Sequence, residues 1–144
     1  MAVADLTISS PKPPSEVLAY MARFSNAAEW DPGVASAEEL SPGPAALGST
    51  YRLMVLFLGL RVPLVYKVTE FDPPHRVVVE AENSMVRSVD TMEVAPEGEG
   101  GSTLTYHATL ILKGPAVVLS PIVIRAFKKT GSRAAEGLHA ALGT

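Results

Sequence analysis

The chain is expected to fold as an α+β domain in which a curved antiparallel sheet of seven strands wraps around one long C-terminal helix, with two short helices after the first strand. Three observations lead there. Gly114 to Leu142 is the only long stretch with sustained helical periodicity. Between Val34 and Leu112, turn signals arrive at intervals that suit antiparallel hairpins. Finally, Val123, Phe127, Thr130, Ala134, Leu138 and Ala141 recur at steps of three or four and so share one helix face, opposite Arg125, Lys128, Ser132, Glu136 and His139. Such a stripe must be buried, and the only large partner this chain can supply is a sheet.

Taken in order, Val3 to Ser10 alternates as a first strand, which Pro11, Pro13 and Pro14 end because proline lacks the ladder donor. Ser15 to Met21 reads as a short helix with Ser15 as its cap and Val17, Leu18 and Met21 at helical spacing. A second helical turn, Ala27 to Trp30, follows Asn26 as cap and is stopped by Asp31, Pro32 and Gly33. Six strands come next: Ala35 to Leu40, Ser49 to Phe57, Val62 to Phe71, Arg76 to Asn83, Met85 to Ala95 and Thr103 to Leu112. Ser41-Pro42-Gly43-Pro44, Gly59, Asp72-Pro73-Pro74, Asn83-Ser84 and the run from Glu97 to Gly101 supply the turns between them. In the closing helix, Ser120 serves as N-cap with Pro121 at the first helical position. Gly131 and Gly137 each weaken that helix by up to about 1 kcal/mol relative to alanine, so packing must hold it.

With 144 residues, of which 47% are apolar and 19% charged, the chain suits a single ordered domain spanning 1–144 and not a disordered one. A net charge of −3 and a pI near 5.6 give no overall positive field, so nucleic acid is not expected as a partner. The one basic cluster, Arg125, Lys128, Lys129 and Arg133, reads as a solvated helix face; its sharper reading is weak contact with an anionic membrane surface or an acidic partner. There is no cysteine, which excludes disulfides and thiol chemistry and fits a reducing cytoplasm. The N-terminal stretch lacks the basic and apolar regions of a signal peptide, and the longest uncharged runs fall short of the ~20 residues that span a bilayer. A soluble, cytoplasmic protein with no integral membrane segment is the expectation.

Several pieces in this order resemble the SRPBCC superfamily, also called START-like, in its polyketide cyclase/dehydrase and lipid-transport branch. They are the early helix running into FSNAAEWDP, the PGPAALGSTYRL entry to a strand, YKVTEFDPPHRVV, the hairpin ending in GGSTLTYHATLILKGP, and the closing helix. The resemblance covers essentially the whole chain. It implies a helix-grip fold with a ligand cavity between helix and sheet, and no single activity. It also places Trp30 among the short helices that close one end of that cavity, either lining the pocket mouth or simply packing.

Alternation sorts the strand faces, because successive side chains point to opposite sides. Leu104, Tyr106, Ala108, Leu110 and Leu112 form the inward set of the last strand. Val86, Ser88, Asp90, Met92 and Val94 oppose Arg87 and Glu93 on the one before. By the same rule Val77, Val79, Ala81 and Asn83 oppose Val78, Glu80 and Glu82, while Tyr51, Leu53, Leu64, Tyr66 and Val68 also face inward. The candidate ligand-binding residues are therefore Trp30, Tyr51, Tyr66, Asn83, Ser88, Asp90, Met92, Tyr106 and Phe127: aromatic and aliphatic surface with a few orienting polar groups. The alternative for the tyrosines is a filled core.

Asp90 carries the most information. A carboxylate facing a greasy interior is costly unless paired or protonated, so it is a ligand anchor, a general acid/base, a structural group in a hydrogen bond or ion pair near the sheet edge, or a residue assigned to the wrong face. His75, His107 and His139 form no ligand pair, no Ser-His-Asp spacing is present, and no glycine-rich phosphate loop follows a strand, so neither a metal nor a cofactor is expected.

Three functions remain open. The leading one is binding or transport of a hydrophobic small molecule, such as a lipid, fatty acid or polyketide-like compound. The second is a polyketide cyclase or dehydratase in which Asp90 moves a proton. The third is a regulatory or partner-binding protein whose cavity is incidental. Oligomeric state is not readable from the sequence.

Overall fold

The computed structural model describes residues 2–57 and 59–143. Strand β1 (Ala2–Ser10) leads into helix α1 (Pro14–Ala22), a 3-10 turn (Phe24–Asn26) and helix α2 (Ala27–Trp30). Strands β2 (Val34–Glu39), β3 (Thr50–Phe57), β4 (Leu60–Asp72), β5 (Arg76–Glu82), β6 (Val86–Glu97) and β7 (Gly101–Leu112) follow. A 3-10 stretch (Gly114–Leu119) then runs into helix α3 (Ser120–Leu142). One seven-stranded sheet orders them β1-β7-β6-β5-β4-β3-β2, with every neighbouring pair antiparallel. Thus β2 to β7 form a simple meander, and β1 crosses over to pair with β7. This is the expected helix-grip architecture.

The helix starts differ from expectation. Pro13, in extended conformation, precedes α1 and Pro14 opens it, so Ser15 lies inside the helix and caps nothing. Leu119 precedes α3; Ser120 is its first residue, and the Ser120 hydroxyl turns back to donate to the Val117 carbonyl at 2.6 Å. Asn26 does precede α2, but its side-chain amide donates to the Tyr20 carbonyl at 2.9 Å and makes no cap bond. In each case a proline or a preceding 3-10 turn already sets the entry angle.

Helix α3 packs on β1, with its last turn tied down by the Ser10 hydroxyl, which donates to the Leu142 carbonyl at 2.5 Å. Val123, Ala134, Leu138 and Leu142 are buried, while Phe127, Thr130 and Ala141 are half-buried on the same stripe. Burial of side chains the size of Val and Leu contributes roughly 1.5–3 kcal/mol each, which outweighs the ~1 kcal/mol each glycine costs the helix.

The other end of the sheet is filled. Helix α1 buries Val17, Leu18 and Met21 against β5, β6 and β7, and the 3-10 turn 24–26 packs on β3. Under α3, which stands off the sheet, space remains. Val78, expected outward, is buried: its cross-strand neighbours Glu70 and Thr91, and Arg76 on the same face, ion-paired to Glu70 and Glu93, crowd that side. Among the described residues no helix is long and apolar enough to cross a membrane.

Candidate functional site

Between α3 and the sheet lies a cavity of about 170 Å³. Its walls are mainly aliphatic and aromatic, with Leu53, Leu64, Val86, Leu110, Val123 and Phe127 among them. Leu56, Met85 and Leu119 line it too and are 44%, 51% and 38% exposed, so they mark its mouth. The mouth thus falls where Leu56 of β3, the β5–β6 turn and the 3-10 stretch before α3 come together.

Four polar side chains meet deep inside. Alternation along β6 turns Ser88 and Asp90 inward, and both are buried. Asp90 stands opposite Ala108 on β7, whose small side chain leaves the carboxylate open toward the cavity. Tyr106, two residues away on β7, reaches diagonally, and its hydroxyl donates a short hydrogen bond to Asp90 Oδ2. Ala81 pairs with Ser88, and its neighbour Glu80 pairs with Lys67, so a small residue lies between Tyr66 and Ser88. Across that gap the Tyr66 hydroxyl donates to Ser88 Oγ at 2.8 Å, and Ser88 Oγ donates in turn to Asp90 Oδ1 at 3.5 Å.

Burial pushes the Asp90 carboxyl up to about 7, against the pull of the Tyr106 and Ser88 hydrogen bonds and with help from the charge of Asp31. Burial and the neighbouring Asp90 push the Tyr66 and Tyr106 hydroxyls up, so both stay protonated donors at neutral pH. Asp31, which also lines the cavity, has its carboxyl raised by burial and lowered by the Gly33 N–H, which donates to Asp31 Oδ1 at 2.8 Å. A buried carboxyl near neutrality, held between two hydroxyl donors, can bind a polar ligand group or exchange a proton with it.

Of the nine residues singled out in the sequence, Trp30, Tyr66, Asn83, Ser88, Asp90, Tyr106 and Phe127 line this cavity. Tyr51 and Met92 do not: both face inward but lie in the filled end of the core, at 1% and 0% exposure. Trp30 is not at the mouth. It is buried, edge-on to Tyr106 with ring centroids 5.4 Å apart. Asn83 ends up in the β5–β6 turn, where its side-chain oxygen accepts from the backbone N–H of Met85 at 2.8 Å and of Val86 at 2.9 Å.

Sequence reasoning missed two lining residues of consequence. Asp31 reads locally as part of a helix stop, and only its position directly after Trp30 could have drawn attention to it. Phe24, in the unpredicted 3-10 turn, packs its ring 4.8 Å from that of Tyr66.

The family model described as polyketide cyclase/dehydrase and lipid transport matches residues 1–143, and the chain belongs to that family. A START superfamily protein from Mycobacterium smegmatis has the same fold, with a TM-score of 0.78 at 15% identity over 99% of this chain and 97% of its own. A Thermus thermophilus protein matches with a TM-score of 0.77 at 19% identity, over 97% of this chain and 96% of its own. The Zhui aromatase/cyclase from a Streptomyces species is similar at a TM-score of 0.68 and 14% identity, over 99% of this chain and 98% of its own. No match was found among curated protein sequences. Family and fold fit a hydrophobic ligand-binding or polyketide cyclase-like protein.

Proposed function

We propose that this protein binds a hydrophobic small molecule between α3 and the sheet, with the polar end of the ligand against Tyr66, Ser88, Asp90 and Tyr106. The observation that carries this reading is an apolar cavity whose inner wall holds a buried hydrogen-bonded carboxylate. A core built for stability alone gains nothing from such a group, since an apolar residue of similar size would avoid its desolvation. The volume is comparable with apolar cavities of roughly 150 Å³ that hold one small aromatic molecule. Apolar burial at ~25 cal/mol per Å² drives affinity, and the polar network sets orientation.

Trp30 supplies the test, because it is the only tryptophan and lines the cavity. Saturable changes in its emission on adding small aromatics or short-chain lipids support the reading, provided that Ala108→Phe, which fills the space beside Asp90, removes them while the protein stays folded. Identical responses in both proteins count against it and favour a partner-binding protein with an incidental cavity.

An enzymatic reading as a cyclase or dehydratase is favoured by the Asp90 carboxyl, poised near neutrality and hydrogen-bonded to Tyr106. In that reading the Tyr106 hydroxyl passes its hydrogen bond from Asp90 to a substrate carbonyl, and Asp90 moves a proton. Asp90→Asn then abolishes turnover of a poly-β-keto substrate while leaving binding largely intact; unchanged turnover excludes it.

A transport role is supported by the mouth. Leu60, Val118 and Ile122, close in the chain to the lining residues Leu56, Leu119 and Val123, are 68%, 76% and 57% exposed. Arg61, Arg125, Lys128 and Lys129 in the same two segments are exposed, and no acidic residue occurs in 51–69 or 113–133 of a chain whose net charge is −3. An apolar rim flanked by cations suits an anionic lipid surface. Co-sedimentation with phosphatidylglycerol vesicles but not phosphatidylcholine vesicles, lost in Val118→Asp/Ile122→Asp, is the expected result; no co-sedimentation with either removes this role.

A further inference from the structure

Among the described residues, the cavity wall carries two carboxylates, Asp31 and Asp90, and no lysine, arginine or histidine. The groups facing Asp90 are Ser88 on its own strand, Tyr106 from β7, Tyr66 from β4 through Ser88, and Asp31 from the loop after α2. The one basic side chain whose field reaches it is His107, which lies exposed on the other face of β7, hydrogen-bonded to Asp5. Arginines and lysines of the neighbouring strands are engaged outside as well: Arg76 with Glu70 and Glu93, Arg87 with Glu80, Lys113 with Glu82.

Donor and acceptor accounting points the same way. The hydroxyl hydrogens of Tyr66, Ser88 and Tyr106 are all committed inside the network. Acceptor capacity is left over. Among the described residues Asp90 Oδ1 has only the 3.5 Å contact from Ser88, and Asp31 accepts from Gly33 through Oδ1 alone. The uncommitted donors on the wall, such as the Asn83 amide and the Thr130 hydroxyl, are neutral and offset no anion. A ligand carboxylate placed here would meet two like charges with no counter-ion, in a site with little water.

Resting on the ligand-binding reading above, we infer that the cavity selects by charge. It takes ring compounds whose inner end donates a hydrogen bond and carries no negative charge, such as phenols, aromatic alcohols and amines, and it turns away the corresponding carboxylates. Fatty acids seated head-inward are excluded on the same ground.

Three probes sharing one ring system test this: naphthalene, 2-naphthol and 2-naphthoate, titrated at about pH 8 and followed by methyl NMR of the cavity residues. 2-Naphthol is expected to bind at least about tenfold more tightly than 2-naphthoate, with naphthalene between them. In Asp31→Asn/Asp90→Asn, the amide that replaces the Asp31 carboxylate keeps an oxygen for the Gly33 N–H, and the naphthol preference over naphthoate is expected to shrink to within about threefold. Naphthoate binding as well as naphthol in the native protein overturns the charge selection while leaving ligand binding standing. Binding of none of the three overturns both.

Discussion

Gly137 of α3 lies against the backbone of Trp30 so closely that a Cβ there would overlap the Trp30 carbonyl oxygen and sit 2.8 Å from its carbonyl carbon. Helix propensity alone says that Gly137→Ala should stabilise by about 1 kcal/mol. The overlap is with backbone, which cannot swing aside, so packing wins. Gly137→Ala is expected to destabilise by roughly 1–3 kcal/mol and to shift Trp30 emission. At Gly131 a Cβ would meet only the Ala4 side chain, at 3.3 Å, so Gly131→Ala should change stability by less than about 1 kcal/mol. Denaturant unfolding of the two variants side by side checks both.

Asp90 should make stability depend on pH. In the folded protein its carboxyl titrates at about 7, above its ordinary value of 3.8, so the folded state binds the proton more tightly. The stabilisation is therefore fully present below about pH 4 and lost as pH rises toward and through 7. At about 1.4 kcal/mol per tenfold difference in proton affinity, the span is at most on the order of 4 kcal/mol. Asp31, raised in the same direction, adds to the trend. Asp90→Asn should flatten the stability profile between pH 4 and 8, most visibly at the alkaline end; a profile unchanged from the native one contradicts the burial of an ionisable Asp90.

The tyrosines should separate in effect. Tyr66→Phe removes a neutral hydrogen bond to Ser88 and is expected to cost about 1 kcal/mol. Tyr106→Phe removes the donor to the Asp90 carboxylate, costs roughly 1.5–3 kcal/mol above the Asp90 value, and raises the Asp90 carboxyl further. Carboxyl 13C NMR of Asp90 across a pH series reads the second effect directly. Equal, small costs with an unmoved Asp90 titration run against the network.

Much of this architecture is legible in the residues, because strands covered on one face alternate, with Val78 of β5 the departure. Ser88, Asp90 and Met92 are turned inward for the same reason that Arg87 and Glu93 are turned out. Alternation fixes the face and says nothing of what covers each point along the strand. Hence Tyr51 and Met92 have the right direction yet fall under the filled end beneath α1 and the 3-10 turn, while Tyr106 and Asp90 fall under the gap beside α3. Asp31 was hidden by its own turn chemistry: the carboxylate that helps stop α2 through the Gly33 N–H is the one that also faces the cavity. The close approach at Gly137 is a tertiary fact, and in sequence that glycine reads only as a weak point in a helix.

The most direct test of the account is native mass spectrometry of the protein as purified from a heterologous host, followed by denaturing extraction. A stoichiometric, uncharged or cationic apolar adduct, released on unfolding and missing from Ala108→Phe, is the predicted result. An adduct-free protein that also shows no thermal shift and no Trp30 response across phenols, aromatic amines and lipids contradicts a ligand-binding cavity.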